Sequence, residues 1–374
     1  MQKIEIKRFF ECLIPVTVCN LKCSYCYVIQ RDYRNMKLAQ LKYSPEHIGK
    51  SLSPNRLGGT CFFSICGAGE TLAQPETISI VLELVKQGHI VNITTNGTLT
   101  NRFKEFEKFK PEELERIHFS FSLHYLELKR CNLLDEFFSN VNFVKNLGCS
   151  ILVQLNLCDE YIPFVDDIKE ICIKRVGAYP QIAATRKESH GLSQVELMSE
   201  LPDEEYKKIG NSFHSDLFEF TMENFNKKRT EFCNAGERSG SLDLSTGALR
   251  KCYGAPTVQY IFDNPNSDIV FSPIGNHCCS SFCFNSSHFM ALGIIDNGDK
   301  RSYCSIRNRP EAHWFNDTFK YALSKKLWST NVIYSVDERK NINRKVARLF
   351  WTQRVKNYMR RISIRISKIL RGTM

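Results

Sequence analysis

Between residue 10 and about residue 185, short apolar runs alternate with amphipathic stretches along the chain. CLIPVTV, TCFFSIC, HIVNITT, IHFSFSL, SILVQLNL and YPQIAAT are rich in β-branched and aromatic residues, which predicts six strands. Between them, ETISIVLELVKQG, RFKEFEKFKPEELER, DEFFSNVNFVKNLG and FVDDIKEICIKRVG repeat apolar residues at helical spacing. Gly88, Gly148 and Gly177 close three of these stretches, as glycine does where the backbone turns left-handed beyond a helix. Strand and helix in alternation predict parallel strands joined by right-handed crossovers. The expected class is α/β, a partial (β/α)6 barrel of the TIM type, because six strands are too few for the closed eight-stranded form.

The pattern changes downstream. Residues 186–232 are polar and read as helical, chiefly through PDEEYKKIGNSFHSDLFEFTMENFNKK. From 233 to 310, Gly, Asn and Ser surround Cys233, Cys252, Cys278, Cys279, Cys283 and Cys304, as in a small domain held by metal more than by a core. The expected organisation is a barrel over 1–220, a small Cys-rich domain over 221–310, and a helical extension over 311–374. In that extension Val355, Met359, Ile362, Ile366 and Ile369 recur at intervals of four and three, one apolar helical face among Arg and Lys.

Charge separates the tail from the body. The net charge is +11, yet residues 339–374 alone hold 12 Lys and Arg and no Asp or Glu. The residues before them carry 39 basic and 40 acidic side chains. So balanced a body predicts no nucleic-acid partner. The basic amphipathic tail reads either as an element for an anionic membrane surface or acidic partner, or as a helix docked on its own domain. No apolar stretch approaches the roughly 20 residues of a spanning helix. MQKIEIKRFFECLIPV lacks the apolar core and cleavage site of a signal peptide. The expected location is cytoplasmic, peripheral at the inner membrane face if the tail binds lipid.

Sixteen cysteines in a chain expected in the cytosol point to metal or redox chemistry, since disulfides are rare there. Cys12, Cys61, Cys66, Cys149, Cys158 and Cys172 lie in or beside apolar runs and read as buried thiols. Cys19, Cys23 and Cys26 are different, standing together in CNLKCSYC just after the first strand. A structural zinc needs a fourth ligand, and no His or Cys follows closely. Thiolates hold iron–sulfur clusters, normally four to a 4Fe–4S cube, so a three-donor loop leaves one iron for a chelating small molecule. Tyr25 and Tyr27 flank Cys26 and are placed to pack against that molecule. Barrel sites gather at the C-terminal ends of strands. There the chain places CGAGE (66–70), TTNG (94–97) and SLH (122–124), with Asn156 in the fifth strand.

C-x3-C-x2-C with an aromatic before its last Cys, followed by GAGE and TTNG at the next two strand ends, resembles the radical S-adenosylmethionine (radical SAM) superfamily over roughly residues 10–185. The resemblance implies a 4Fe–4S cluster on Cys19, Cys23 and Cys26, with S-adenosyl-L-methionine on its open iron. It implies cofactor contacts from Tyr25, Gly67, Gly69, Glu70, Thr95, Asn96, Ser122 and Asn156, with His124 either a contact or a rim histidine. Gly67 and Gly69 would admit close backbone approach, and Glu70 would help orient the cofactor's ammonium. One electron from the cluster would yield a 5′-deoxyadenosyl radical that abstracts hydrogen from the substrate.

Downstream, Cys233, Gly247 and Cys252, the last two on the hairpin LDLSTGALRKC, resemble SPASM and twitch domains. The full two-cluster SPASM run is absent, which implies a twitch-like domain with one auxiliary 4Fe–4S cluster. Its expected ligands are Cys233, Cys252, Cys279 and Cys283, with Cys278 as alternate and Cys304 as a further candidate. A structural zinc on the same thiols is the other reading.

The expected function is an enzyme acting on a small or carrier-linked organic substrate, such as a glycan or cell-envelope precursor. A peptide or protein maturase is the second reading, and a zinc-stabilised binding protein the third. With the cysteine loop beginning at Cys19, little chain precedes it for a leader-binding domain, which favours the first. A one-electron donor of flavodoxin or ferredoxin type is the implied partner.

Overall fold

The computed structural model describes residues 4–187, 196–278, 280, 282–348, 351, 355 and 359. Six strands, β1 (Arg8–Ile14), β2 (Cys61–Gly67), β3 (Ile90–Thr95), β4 (Ile117–Ser122), β5 (Ser150–Leu157) and β6 (Gln181–Ala184), lie side by side in chain order. Each pairs in parallel with the next, as in a partial (β/α)6 barrel. Helices Thr77–Lys86, Leu134–Asn146 and Val165–Val176 form where the spacing predicts them. The segment 102–116 instead breaks into Thr100–Lys104, a 3-10 turn Glu105–Lys108 and Pro111–Leu114. Pro111 carries no N–H to continue a helix and sits comfortably only at the start of a new one.

Strand β1 starts four residues before CLIPVTV and stops at Ile14. Pro15 has no N–H for the ladder, and the next residues pair with the loop after β2. There the Gly69 N–H donates to Val16 O at 2.6 Å and the Glu70 N–H to Val18 O at 2.7 Å. The polar stretch forms two helices, Asp203–Asn211 and Asp216–Asn224. His214 interrupts them at φ 50°, and Ser215 restarts the chain by accepting from the Phe218 N–H. β7 (Arg186–Lys187) and β8 (Glu196–Leu197) make a separate antiparallel pair.

Among the described residues, the chain beyond 220 builds no sheet of its own. β9 (Ser239–Asp243) runs parallel to β1 on its free edge, followed antiparallel by β10 (Ala248–Arg250) and β11 (Thr257–Tyr260). The result is one nine-stranded sheet, so the boundary expected at 220/221 falls within a continuous structure. Residues past 310 close the bottom of the barrel in the same way. The Trp314 indole N–H donates to Val176 O at 3.0 Å, the Ile151 N–H donates to Trp314 O at 2.8 Å, and Phe319 stacks on His118 at 4.5 Å.

The two faces of the sheet differ. Phe10, Cys12, Phe63, Ile65, Val91, Ile93, Phe119 and Phe121 point one way and are buried, several against the helical layer, as Phe121 is against Phe137. The inner face begins aromatic, where Phe62 meets Tyr303 and Phe319. Above that floor the registers place Glu11 beside Ser64, Ser64 beside Asn92, and Ser122 beside Gln154. Ser64, Cys66, Thr94, Ser120, Ser122, Gln154 and Asn156 are all half-buried there. Parallel sheets are ordinarily apolar on both faces. A polar inner face above an aromatic floor lines a site.

Backbone 336–348 is helical, and Trp351, Val355 and Met359 are helical and exposed. Ile362, Ile366 and Ile369 of the expected amphipathic face lie outside the described residues. Among the described residues no helix is long and apolar enough to cross a membrane.

Candidate functional site

The cysteine loop is held from four sides. Arg34 donates to Cys19 O at 2.5 Å and to Leu21 O at 2.8 Å. Glu127 accepts from the Lys22 N–H at 2.8 Å, and Ser24 donates to Glu160 at 2.9 Å. The Tyr25 hydroxyl meets His124 Nδ1 at 2.6 Å and the Tyr161 hydroxyl at 3.0 Å. Tyr25 is therefore buried and fixed, whereas Tyr27 starts a short surface helix and is half-exposed. Burial lowers His124 to about 4, so near neutral pH its ring is uncharged.

The loops after β2 and β3 brace one another and the cysteine loop. Glu70 is buried and accepts from the Leu72 N–H at 3.0 Å, Thr95 Oγ1 at 2.7 Å and the Asn96 N–H at 2.7 Å. Burial raises its carboxyl, and these three donors pull it back down. Asn96 in turn donates to Asn20 at 2.9 Å and to Cys19 Sγ at 3.7 Å. The Glu70 carboxylate thus ties GAGE to TTNG, a different task from the ammonium contact expected of it. The glycines also serve the protein itself. A Cβ on Gly69 would stand 2.3 Å from Val18 O, and one on Gly67 2.8 Å from Val16 Cγ1, so the close approach they permit is to the segment between β1 and the cysteines.

Cys19, Cys23 and Cys26 come together below these loops. Burial pushes the Cys23 thiol up, and the neighbouring Cys19 and Cys26 thiols push it further. Burial likewise raises Cys19. Such thiols bind metal as thiolates, so loading this loop releases protons. Among the described residues no three His, Cys, Asp or Glu converge tightly enough for one metal ion. A cube spreads its ligands over separate irons, so its thiolates need no common point. Three thiols on one loop after β1, with the half-buried Ser122 and Asn156 on the inner face of the same sheet, fit a cluster and a polar cofactor.

A second thiol group forms at the far edge of β1. Cys233 feels Cys283 and Cys278, and Cys252 feels Cys233, Cys283 and Cys278. Burial dominates the upward shift in each, reaching about 12 for Cys283. Cys279 lies outside the described residues, and Cys278, the alternate, is with the group. Cys304 is elsewhere, beside Ser324 and Lys320. Sequence reasoning missed Arg34, Glu127 and Tyr161, whose long-range contacts leave no local pattern. It also passed over Glu11, although a charge inside a strand beside FF is itself a signal.

The Radical SAM superfamily model matches residues 13–150. A probable GTP 3′,8-cyclase of Methanococcus vannielii is 34% identical over 118 residues, covering 31% of this chain and 36% of that protein. Among solved structures, Streptococcus suis SuiB aligns with a TM-score of 0.49 and 15% identity, covering 70% of this chain and 64% of that one. A structure of anSMEcpe with bound AdoMet aligns with a TM-score of 0.48 and 15% identity, covering 69% and 76%. The chain thus spans about a third of the curated relative and less than two thirds of SuiB. The matched segment contains the cysteine loop, GAGE, TTNG and Ser122. Residues 13–150, which carry the cysteine loop and the loops after β2 and β3, thus match the Radical SAM superfamily.

Proposed function

We propose that this chain is a radical SAM oxidoreductase that takes hydrogen from an organic substrate held on the inner face of the barrel. Cys19, Cys23 and Cys26 hold the 4Fe–4S cluster, and Ser122, Asn156, Tyr25 and the backbone of Gly67–Gly69 cradle S-adenosylmethionine. When bound, the cluster and cofactor supply an electron and a 5′-deoxyadenosyl radical. Cys233, Cys252 and Cys283, with Cys278 or Cys279, would hold an auxiliary cluster, which would supply an electron acceptor. A flavodoxin- or ferredoxin-type protein would be the one-electron donor. The substrate is small or carrier-linked. The observation that carries the reading is the thiol triad after β1, joined through Asn96 and Glu70 to the loops after β2 and β3.

Anaerobic reconstitution with iron and sulfide tests it. Two 4Fe–4S sites predict about 8 iron and about 8 sulfide per chain, and Cys283→Ala about half of each. After reduction, Cys283→Ala should still release 5′-deoxyadenosine but form no substrate-derived product. A colourless protein that retains zinc would end the radical reading.

His124 acts through Tyr25 and is a positioning residue. His124→Phe should weaken S-adenosylmethionine binding about tenfold, the order seen when an outer-shell partner is lost. Iron content should stay unchanged, so equilibrium dialysis set against an iron assay separates a misplaced Tyr25 from a lost cluster.

A further inference from the structure

Glu11 is a buried carboxylate on the inner face of β1, 9% exposed, one step above the aromatic floor. Asn285 Nδ2 donates to its Oε2 at 2.5 Å, and Tyr253 also hydrogen-bonds to it. Both partners are neutral. A carboxylate offers about four acceptor positions, and these two partners leave some of them open. Buried carboxylates are ordinarily paired with a cation, because an isolated buried charge is costly. Burial raises the Glu11 carboxyl to about 8, so beside these neutral partners it is largely protonated near neutral pH, and a cation brought against it would favour the carboxylate.

Its surroundings show where a ligand would come from. Glu11 lies opposite Ser64 in the β1–β2 register, with Leu13 opposite Cys66. Leu13 is 41% exposed, and Ser64 and Cys66 are half-buried, so this side of the carboxylate opens along the inner face. Tyr253 follows Cys252 directly and is itself exposed at 54%. Glu11 acts electrostatically on Cys66 below GAGE and on Cys252 and Cys283 of the second thiol group. It therefore stands on the inner face beside the second thiol group.

We propose that Glu11 anchors a cationic nitrogen of the substrate, an ammonium or guanidinium, on the inner face of the sheet beside the second thiol group. A cation completes the carboxylate where Asn285 and Tyr253 supply only neutral donors, and charge-assisted hydrogen bonds are about twice as strong as neutral ones. The inference names the substrate class of the proposed enzyme and rests on that reading for its place in the reaction. Its chemistry stands apart from the cluster.

The test titrates the full chain, as isolated, with n-butylammonium, n-butanol and butyrate by ligand-observed NMR. Wild type should prefer butylammonium to butanol and reject butyrate. Glu11→Gln, nearly isosteric, should weaken butylammonium about thirtyfold or more while leaving butanol unchanged. Tyr253→Phe keeps the carboxylate and should keep the preference, which guards against a Gln variant that fails to fold. Equal binding of butylammonium and butanol by wild type, or an unchanged preference in Glu11→Gln, overturns the proposal. No cofactor cleavage enters this readout. Its failure leaves the radical reading standing, and a wild type that cannot cleave S-adenosylmethionine fails the radical reading alone.

Discussion

Cys23→Ala should abolish reductive cleavage of S-adenosylmethionine while the barrel stays folded. Losing an outer partner of a metal site costs roughly 10–100-fold, and losing one of three thiolates exceeds that because two donors no longer hold the cube. Cys23 is the buried member of the triad and feels both other thiols. The loop's shape does not depend on its sulfur. Arg34 holds Cys19 O and Leu21 O, Glu127 holds the Lys22 N–H, and His124 and Tyr161 hold Tyr25. The variant should therefore melt close to wild type, bind about half the iron and release no 5′-deoxyadenosine. Cleavage within tenfold of wild type would remove Cys23 from the ligand set.

Glu70→Ala should cost more in stability than any change at the thiols. It strands the Leu72 N–H, the Asn96 N–H and the Thr95 hydroxyl in a buried place, and each unmet buried donor costs roughly 1–3 kcal/mol. The expected loss is at least about 3 kcal/mol, read from denaturant unfolding of the cluster-free chain. The loops after β2 and β3 should separate with it, so S-adenosylmethionine binding falls even in protein that still holds iron. Glu70→Gln keeps one acceptor oxygen and should fall between the two. A Glu70→Ala variant as stable as wild type would show that the brace carries no weight.

The strands and helices of residues 10–185 were legible because their information is local. Runs of β-branched and aromatic residues, helical spacing, a closing glycine, and three cysteines within eight residues are properties of neighbouring positions. Where the reading slipped, at β1 and at 102–116, a proline ended an element that apolar content alone would have continued. The mouth of the barrel was legible for the same reason, since a parallel series places every strand's C-terminal end on one side.

By itself the sequence determined the α/β series, the thiol loop and the glycines beside it. Tertiary structure alone decided that β9 joins β1, that Trp314 and Phe319 close the floor, and that Glu70 faces TTNG. It also decided that Cys278 stands with Cys233 while Cys304 does not, and that Glu11 meets Asn285, 274 positions away. The physical reason is that a carboxylate or thiol has no periodic preference that names its partner. Which donor it finds is set by how distant segments fold around the barrel.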